Sequence, residues 1–172
     1  MFFHGKYSVR GDVYQSISST EREQLLLTTI STTCKKRIEK INAKVITLDA
    51  VTVNKSLNAS VCVNQVVGSV FATDDVGVIL ALSPVAIQMK KQQMLDQGHM
   101  GFIAAKVIES YIVHEEAHIE QLRSGRLLEL PDGGIRWENK QYTQADIKTI
   151  GYDNLPWEVE AEKSRRAFMA AL

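Results

Sequence analysis

Residues 111–122 read YIVHEEAHIEQL, and the fold turns on whether this stretch is a helix that carries chemistry or only a charged surface. His114 and His118 are four apart, which on an α-helix sets both rings one turn apart on the same face. Two imidazole nitrogens placed this way reach one ion at the roughly 2.0–2.1 Å that zinc prefers. Glu115 falls about 60° around the helix from His118, beside such an ion instead of on it. A carboxylate there takes a proton from the water that the ion activates and passes it to a leaving amine. The pattern points to metal-assisted amide hydrolysis. The competing reading is an exposed helix with two ordinary histidines.

The surroundings favour a helix. FIAAKVIESYIVHEEAHIEQLRSG gives about six turns, with Gly125 placed to end them. On the wheel Glu109, Glu116, Glu120 and Arg123 share one face, expected to meet water. Upstream, Ser83 and Pro84 look like an N-cap and first-turn pair, predicting a short helix over VAIQMKKQQMLDQ that stops at Gly98. Before it, three runs rich in Val and Ile start at Lys44, Ala59 and Val76, with turn residues at NKSLN and TDD between them. Thr20 with Glu23 makes a capping box, and Leu27, Ile30, Cys34, Ile38 and Ile41 follow at helical spacing. That predicts a first helix of about 20 residues covering a small sheet.

Downstream, RLLEL and IRWENKQY flank Pro131-Asp132-Gly133-Gly134, a strong hairpin signal. A last helix is predicted from about Asn154 and Pro156, with Trp157, Ala161, Ser164, Phe168 and Leu172 inward. The expected fold class is therefore α+β, in one domain spanning residues 1–172.

Composition bounds the partners. The 172 residues are 45% hydrophobic and 23% charged, suited to one compact core. Twenty basic residues balance twenty acidic ones, so no overall field draws the chain to nucleic acid or an anionic membrane. The basic KKRIEK run, Lys35 to Lys40, fits the compensated end of a helix better than a phosphate site. Cys34 and Cys62, the only two cysteines, make neither a disulfide framework nor a thiolate metal site. MFFHGKYSVRGD lacks the pattern of a secretory signal and no run is long enough for a membrane span, so a cytoplasmic location is expected.

A zinc site needs a third ligand, and it is not a histidine, because His4 and His99 precede the motif. Gln121 stands where the longer HExxHxxGxxH motif has glycine, which excludes that class. A downstream carboxylate must complete the set. Glu158 and Glu160 both lie on the last helix, each about 80° from its apolar stripe, so helical geometry leaves the two open. Tyr142, Tyr152 and Arg136 lie in the right part of the chain to donate to an oxyanion.

At this point the sequence resembles gluzincin-type zinc metallopeptidases, which join a helix-covered sheet, an HExxH helix and a later glutamate-bearing helix. Its second half is similar to small phage-encoded metallopeptidases, through HEEAHIEQ, the Trp137-Glu138-Asn139-Lys140-Gln141-Tyr142 segment and Pro156-Trp157-Glu158-Val159-Glu160-Ala161. The likeness covers roughly residues 105 to 170; Glu116 departs from it, where related motifs carry a bulky apolar residue. The resemblance implies a minimal zincin-like domain, Zn2+ held by His114, His118 and Glu158, and Glu115 as general base. It also implies that Ala161 lets two helices approach, and that Glu162 orients a histidine.

The expected function is hydrolysis of peptide bonds in a peptide or protein substrate. A phage virion structural or assembly protein, docked to other phage structural proteins and keeping the fold without essential catalysis, is the alternative that the resemblance raises. Hydrolysis of a non-peptide bond is a third possibility.

Overall fold

The computed structural model describes residues 30–47, 67–73 and 77–171. Its first helix, α1 (Thr32–Ile41), is opened by Ser31, whose backbone is extended and whose Oγ accepts from the Cys34 N–H at 3.2 Å. That cap corrects the single long helix expected from Thr20. An extended Ser31 separates Ile30 from α1, although Ile30 is still buried. The Thr20–Glu23 capping box and Leu27 lie outside the described residues. Asn42, left-handed at φ 51°, closes α1, and the Arg123 guanidinium donates to the carbonyls of Ile41 and Asn42.

Three strands follow: β1 (Lys44–Thr47), β2 (Gly68–Thr73) and β3 (Gly77–Leu82). Their order is β1-β3-β2, with β1 parallel and β2 antiparallel to β3, so the sheet is small, as expected, and mixed. The rest of the first two apolar runs, and the NKSLN turn, lie outside the described residues. Ser83 caps α2 (Pro84–Asp96) by accepting from the Ala86 N–H, with Pro84 in the first turn. The helix ends just before Gly98, at φ +87°.

The motif helix, α3 (Gly101–Arg123), packs on β2 and β3, while α1 packs along α3. Among the described residues, then, the helix lying on the sheet is α3, and α1 joins the same core from the side. Val70, Leu80 and Leu82 of the sheet meet Ile108, Ile112 and Ile119 of α3, Ile87 of α2 and Cys34 of α1. Gly125, at φ +75°, donates to the Leu122 carbonyl and turns the chain away.

A second sheet follows as a three-stranded antiparallel meander of β4 (Leu127–Glu129), β5 (Ile135–Trp137) and β6 (Lys140–Tyr142). Its first turn is the expected Pro131–Gly134 segment, where Asp132 Oδ1 accepts from the Gly134 N–H at 2.8 Å. A Cβ on Gly134 would sit 2.7 Å from the Tyr142 carbonyl oxygen, so only glycine fits. IRWENKQY is two strands and not the single one expected. Glu138 adopts φ 53°, and its N–H donates to the Arg126 carbonyl, reversing the chain at Glu138-Asn139, where Asn139 was the one turn signal on offer.

The short α4 (Gln144–Ile150), absent from the sequence reading, is opened by a Thr143–Asp146 capping box. A 3-10 turn (Tyr152–Asn154) leads to α5 (Pro156–Ala170), whose contact with α3 is the most extensive between any two of the described helices. Trp157 and Ala161 are fully buried on α5. Leu127, Ile135, Trp137, Tyr142, Leu155 and Trp157 form a second core, which Leu122 of α3 joins to the first. The described architecture is thus α+β, with five α-helices and two three-stranded sheets. No helix among the described residues is long and apolar enough to cross a membrane.

Candidate metal centre

The packing of α5 along α3 brings Glu158 against the two motif histidines. His114 and His118 sit one turn apart with rings edge to face, centroids 4.9 Å apart, so that both Nε2 atoms turn to one point. Glu158 Oε2 lies 3.2 Å from His114 Nε2 and 3.2 Å from His118 Nε2, and the two nitrogens are themselves 3.2 Å apart. The three atoms form an equilateral triangle. His118 and Glu158 are buried and His114 is nearly so.

These edges test the fit of an ion. Tetrahedral arms of about 2.0–2.1 Å imply ligand-to-ligand edges of about 3.3–3.4 Å, close to the observed triangle. The donor set, two imidazoles and a carboxylate, suits zinc or a neighbouring transition ion. Glu158 Oε1 is also buried, with no hydrogen-bond partner. Taking a carboxylate out of water costs several kcal/mol unless positive charge faces it, and among the described residues no lysine or arginine pairs with Glu158. The residues present fit a divalent cation.

Electrostatics agree for the metal-free chain. Burial pushes the Glu158 carboxyl up, but hydrogen bonds from His114 and His118 outweigh it and hold the group well below the usual carboxylate range. Burial likewise favours neutral His118, yet the Glu158 hydrogen bond and the charges of Glu115 and Glu158 raise its pKa above the ordinary value. A cluster that attracts a proton this strongly is also one that attracts a cation.

Glu115 is buried at 3% exposure on the sheet side of α3. A Cβ on Gly68, the first residue of β2, would lie 3.4 Å from Glu115 Cγ and 3.0 Å from a Leu82 methyl, so the strand passes close beside this acid. Beyond β3, no second strand borders β2 among the described residues.

The other acids resolve separately. Glu160, which helical geometry could not separate from Glu158, turns away: it accepts from Arg126 at 2.5 Å and from Gln121 Nε2 at 2.8 Å. Glu162 comes within 3.7 Å of His114 Nδ1, beyond hydrogen-bonding reach, while Arg165 and Arg166 engage its oxygens at 2.8–3.0 Å. The orienting contact seen on the described chain belongs instead to Gln121, whose Oε1 is 2.9 Å from His118 Nδ1. Gln121 was read as ruling out a longer motif and as the end of the HEEAHIEQ resemblance, not as a partner of His118; its spacing of three from His118 on the same helix was the available signal.

Glu109 corrects the expectation that its face meets water. It is buried at 1% exposure, because Arg37 of α1 crosses α3 to bond both Glu109 and Glu116 at 3.1 Å, and Lys106 adds a contact at 3.3 Å. Of the suggested oxyanion donors, Tyr142 is packed edge-on against Trp157 in the second core, while Arg136 and Tyr152 are exposed. No protein-family model, curated protein or solved structure matches this chain.

Proposed function

We propose that this chain is a zinc-dependent peptidase with a minimal zincin-like fold of the gluzincin type. The observation that carries the reading is the convergence of His114, His118 and Glu158 on one point, with buried Glu115 on the same helix. Glu158 and the two histidines would hold the ion. When bound, it supplies a Lewis acid that acidifies water and polarises a carbonyl.

The chain's own residues do the rest. Glu115 accepts a proton from the attacking water on a carboxylate oxygen and returns it to the amine that leaves, so its charge is restored within a turnover. Burial of Glu115 keeps bulk water from competing for that proton. The edge of β2 that no described strand borders, beside Glu115, suits a peptide backbone laid down as an added strand. The similarity of HEEAHIEQ and PWEVEA to phage-encoded metallopeptidases supports the same reading.

The test is metal content with one substitution. Purified protein holds about one zinc per chain, and Glu115→Gln keeps the zinc while abolishing hydrolysis of a peptide library. Carefully prepared protein that takes up no zinc ends this proposal.

A further inference from the structure

We infer that Gln121 is a positioning residue: it fixes which nitrogen of His118 carries the proton and ties the two helices that bear the proposed ligands. This rests on the metal-centre reading, but concerns a contact visible without any ion.

Gln121 is fully buried. One end of its carboxamide faces two acceptors, the Trp157 carbonyl at 3.0 Å and Glu160 Oε2 at 2.8 Å. Arg126 in turn anchors Glu160 at 2.5 Å. Only an NH2 group satisfies both acceptors at once; flipping the amide would set its carbonyl against a carbonyl and a carboxylate. The orientation is therefore determined.

It follows that the end facing His118 Nδ1, at 2.9 Å, is the carbonyl oxygen. A carbonyl there requires an N–H on Nδ1, so the nitrogen of His118 that can exchange its hydrogen bond to Glu158 for an ion is Nε2, the atom in the triangle with Glu158 and His114. The chain of contacts runs from Arg126 through Glu160 and Gln121 to His118. Its second branch holds the carbonyl of Trp157, the residue before Glu158, so one side chain governs both the tautomer and the separation of α3 from the start of α5.

The experiment uses the full chain, labelled with 15N histidine. Long-range 1H–15N spectra, taken in alkaline buffer where the rings are neutral, report the protonated nitrogen of His118, and chelator competition reports zinc affinity. In the wild type His118 carries its proton on Nδ1. Gln121→Met, close in length but without the acceptor, loses that fixed tautomer and binds zinc about 10- to 100-fold more weakly. The paired exchange Gln121→Glu with Glu160→Gln restores an acceptor for Nδ1 and a donor between positions 121 and 160, while leaving the Trp157 carbonyl without its donor. It recovers the Nδ1–H signal and brings affinity to within about tenfold of wild type.

A wild-type His118 protonated on Nε2, or Gln121→Met binding zinc as tightly as wild type, overturns the inference. Should Gln121→Met fail to fold, the wild-type spectrum and the paired exchange decide it. If wild type shows Nδ1–H but takes up no zinc, the peptidase reading falls and the tautomer assignment stands.

Discussion

Glu109 and Glu158 are almost equally buried, at 1% and 2% exposure, on opposite sides of α3. Glu109 lies nine residues from His118, half a turn away on the wheel, and has Arg37 and Lys106 to neutralise it. Among the described residues, Glu158 pairs only with imidazole nitrogens. Burial alone therefore does not mark a functional acid. A carboxylate matched by a guanidinium is complete within the fold, whereas one matched by imidazoles is held through protons that a cation from outside can replace. The two sides of one helix thus separate architecture from chemistry.

The sharpest way to break that comparison is to add the cation. Zinc at a free concentration roughly a thousand times its Kd stabilises a site that exists only in the folded chain by about 4 kcal/mol. Denaturant unfolding of the wild type, with zinc and with chelator, measures that increment, and Glu158→Ala abolishes most of it. In chelator Glu158→Ala costs less than Glu109→Ala, because it strands no guanidinium. Equal costs in chelator, with the zinc increment intact in Glu158→Ala, would make Glu158 one more structural acid.

Next in size is Glu109→Ala itself. Removing one member of a buried ion pair costs about 3–5 kcal/mol. Arg37 is 30% exposed and recovers part of its hydration, so about 1–3 kcal/mol is expected here. The loss is the same with zinc and without it, and zinc content stays at that of the wild type. A zinc increment that fell along with Glu109 would show the two faces of α3 to be coupled.

What the sequence revealed follows the range of each interaction. His114 and His118 share a face through local geometry, and Ser83-Pro84, Gly98 and Gly125 bound their helices through local backbone chemistry. The Thr143–Asp146 box was of the same legible kind and marks a helix of only seven residues. The choice of Glu158 over Glu160 was not legible on the wheel, since both flank the stripe; Arg126, from the segment between α3 and β4, draws Glu160 aside. Glu109 was misplaced because its cover, Arg37, lies 72 positions away. Gln121 takes on its role only when the Trp157 carbonyl, 36 residues on, arrives beside it. Glu138 at positive φ runs against turn preferences and is held by a tertiary bond to the Arg126 carbonyl.

The smallest effect concerns Glu162, which stands between the two cases. It approaches His114 to 3.7 Å yet carries its own cations, Arg165 and Arg166. Hydrogen bonding from Arg165 leads the causes that lower its pKa to about 2, against an ordinary value of 4.5. A depressed carboxyl stabilises the fold at every pH above its unfolded value, and that contribution fades as pH falls from 4.5 towards 2. Because the side chain is 32% exposed, solvent screening keeps the gain below about 1 kcal/mol. Wild type is therefore more stable than Glu162→Gln at neutral pH by less than about 1 kcal/mol, and the gap closes through that acid window. Zinc content is equal in the two, since an acid already matched by guanidinium has no call on a further cation. Loss of zinc from Glu162→Gln would mean that the 3.7 Å approach to His114 orders a ligand, and that a cation-paired acid can serve the site after all.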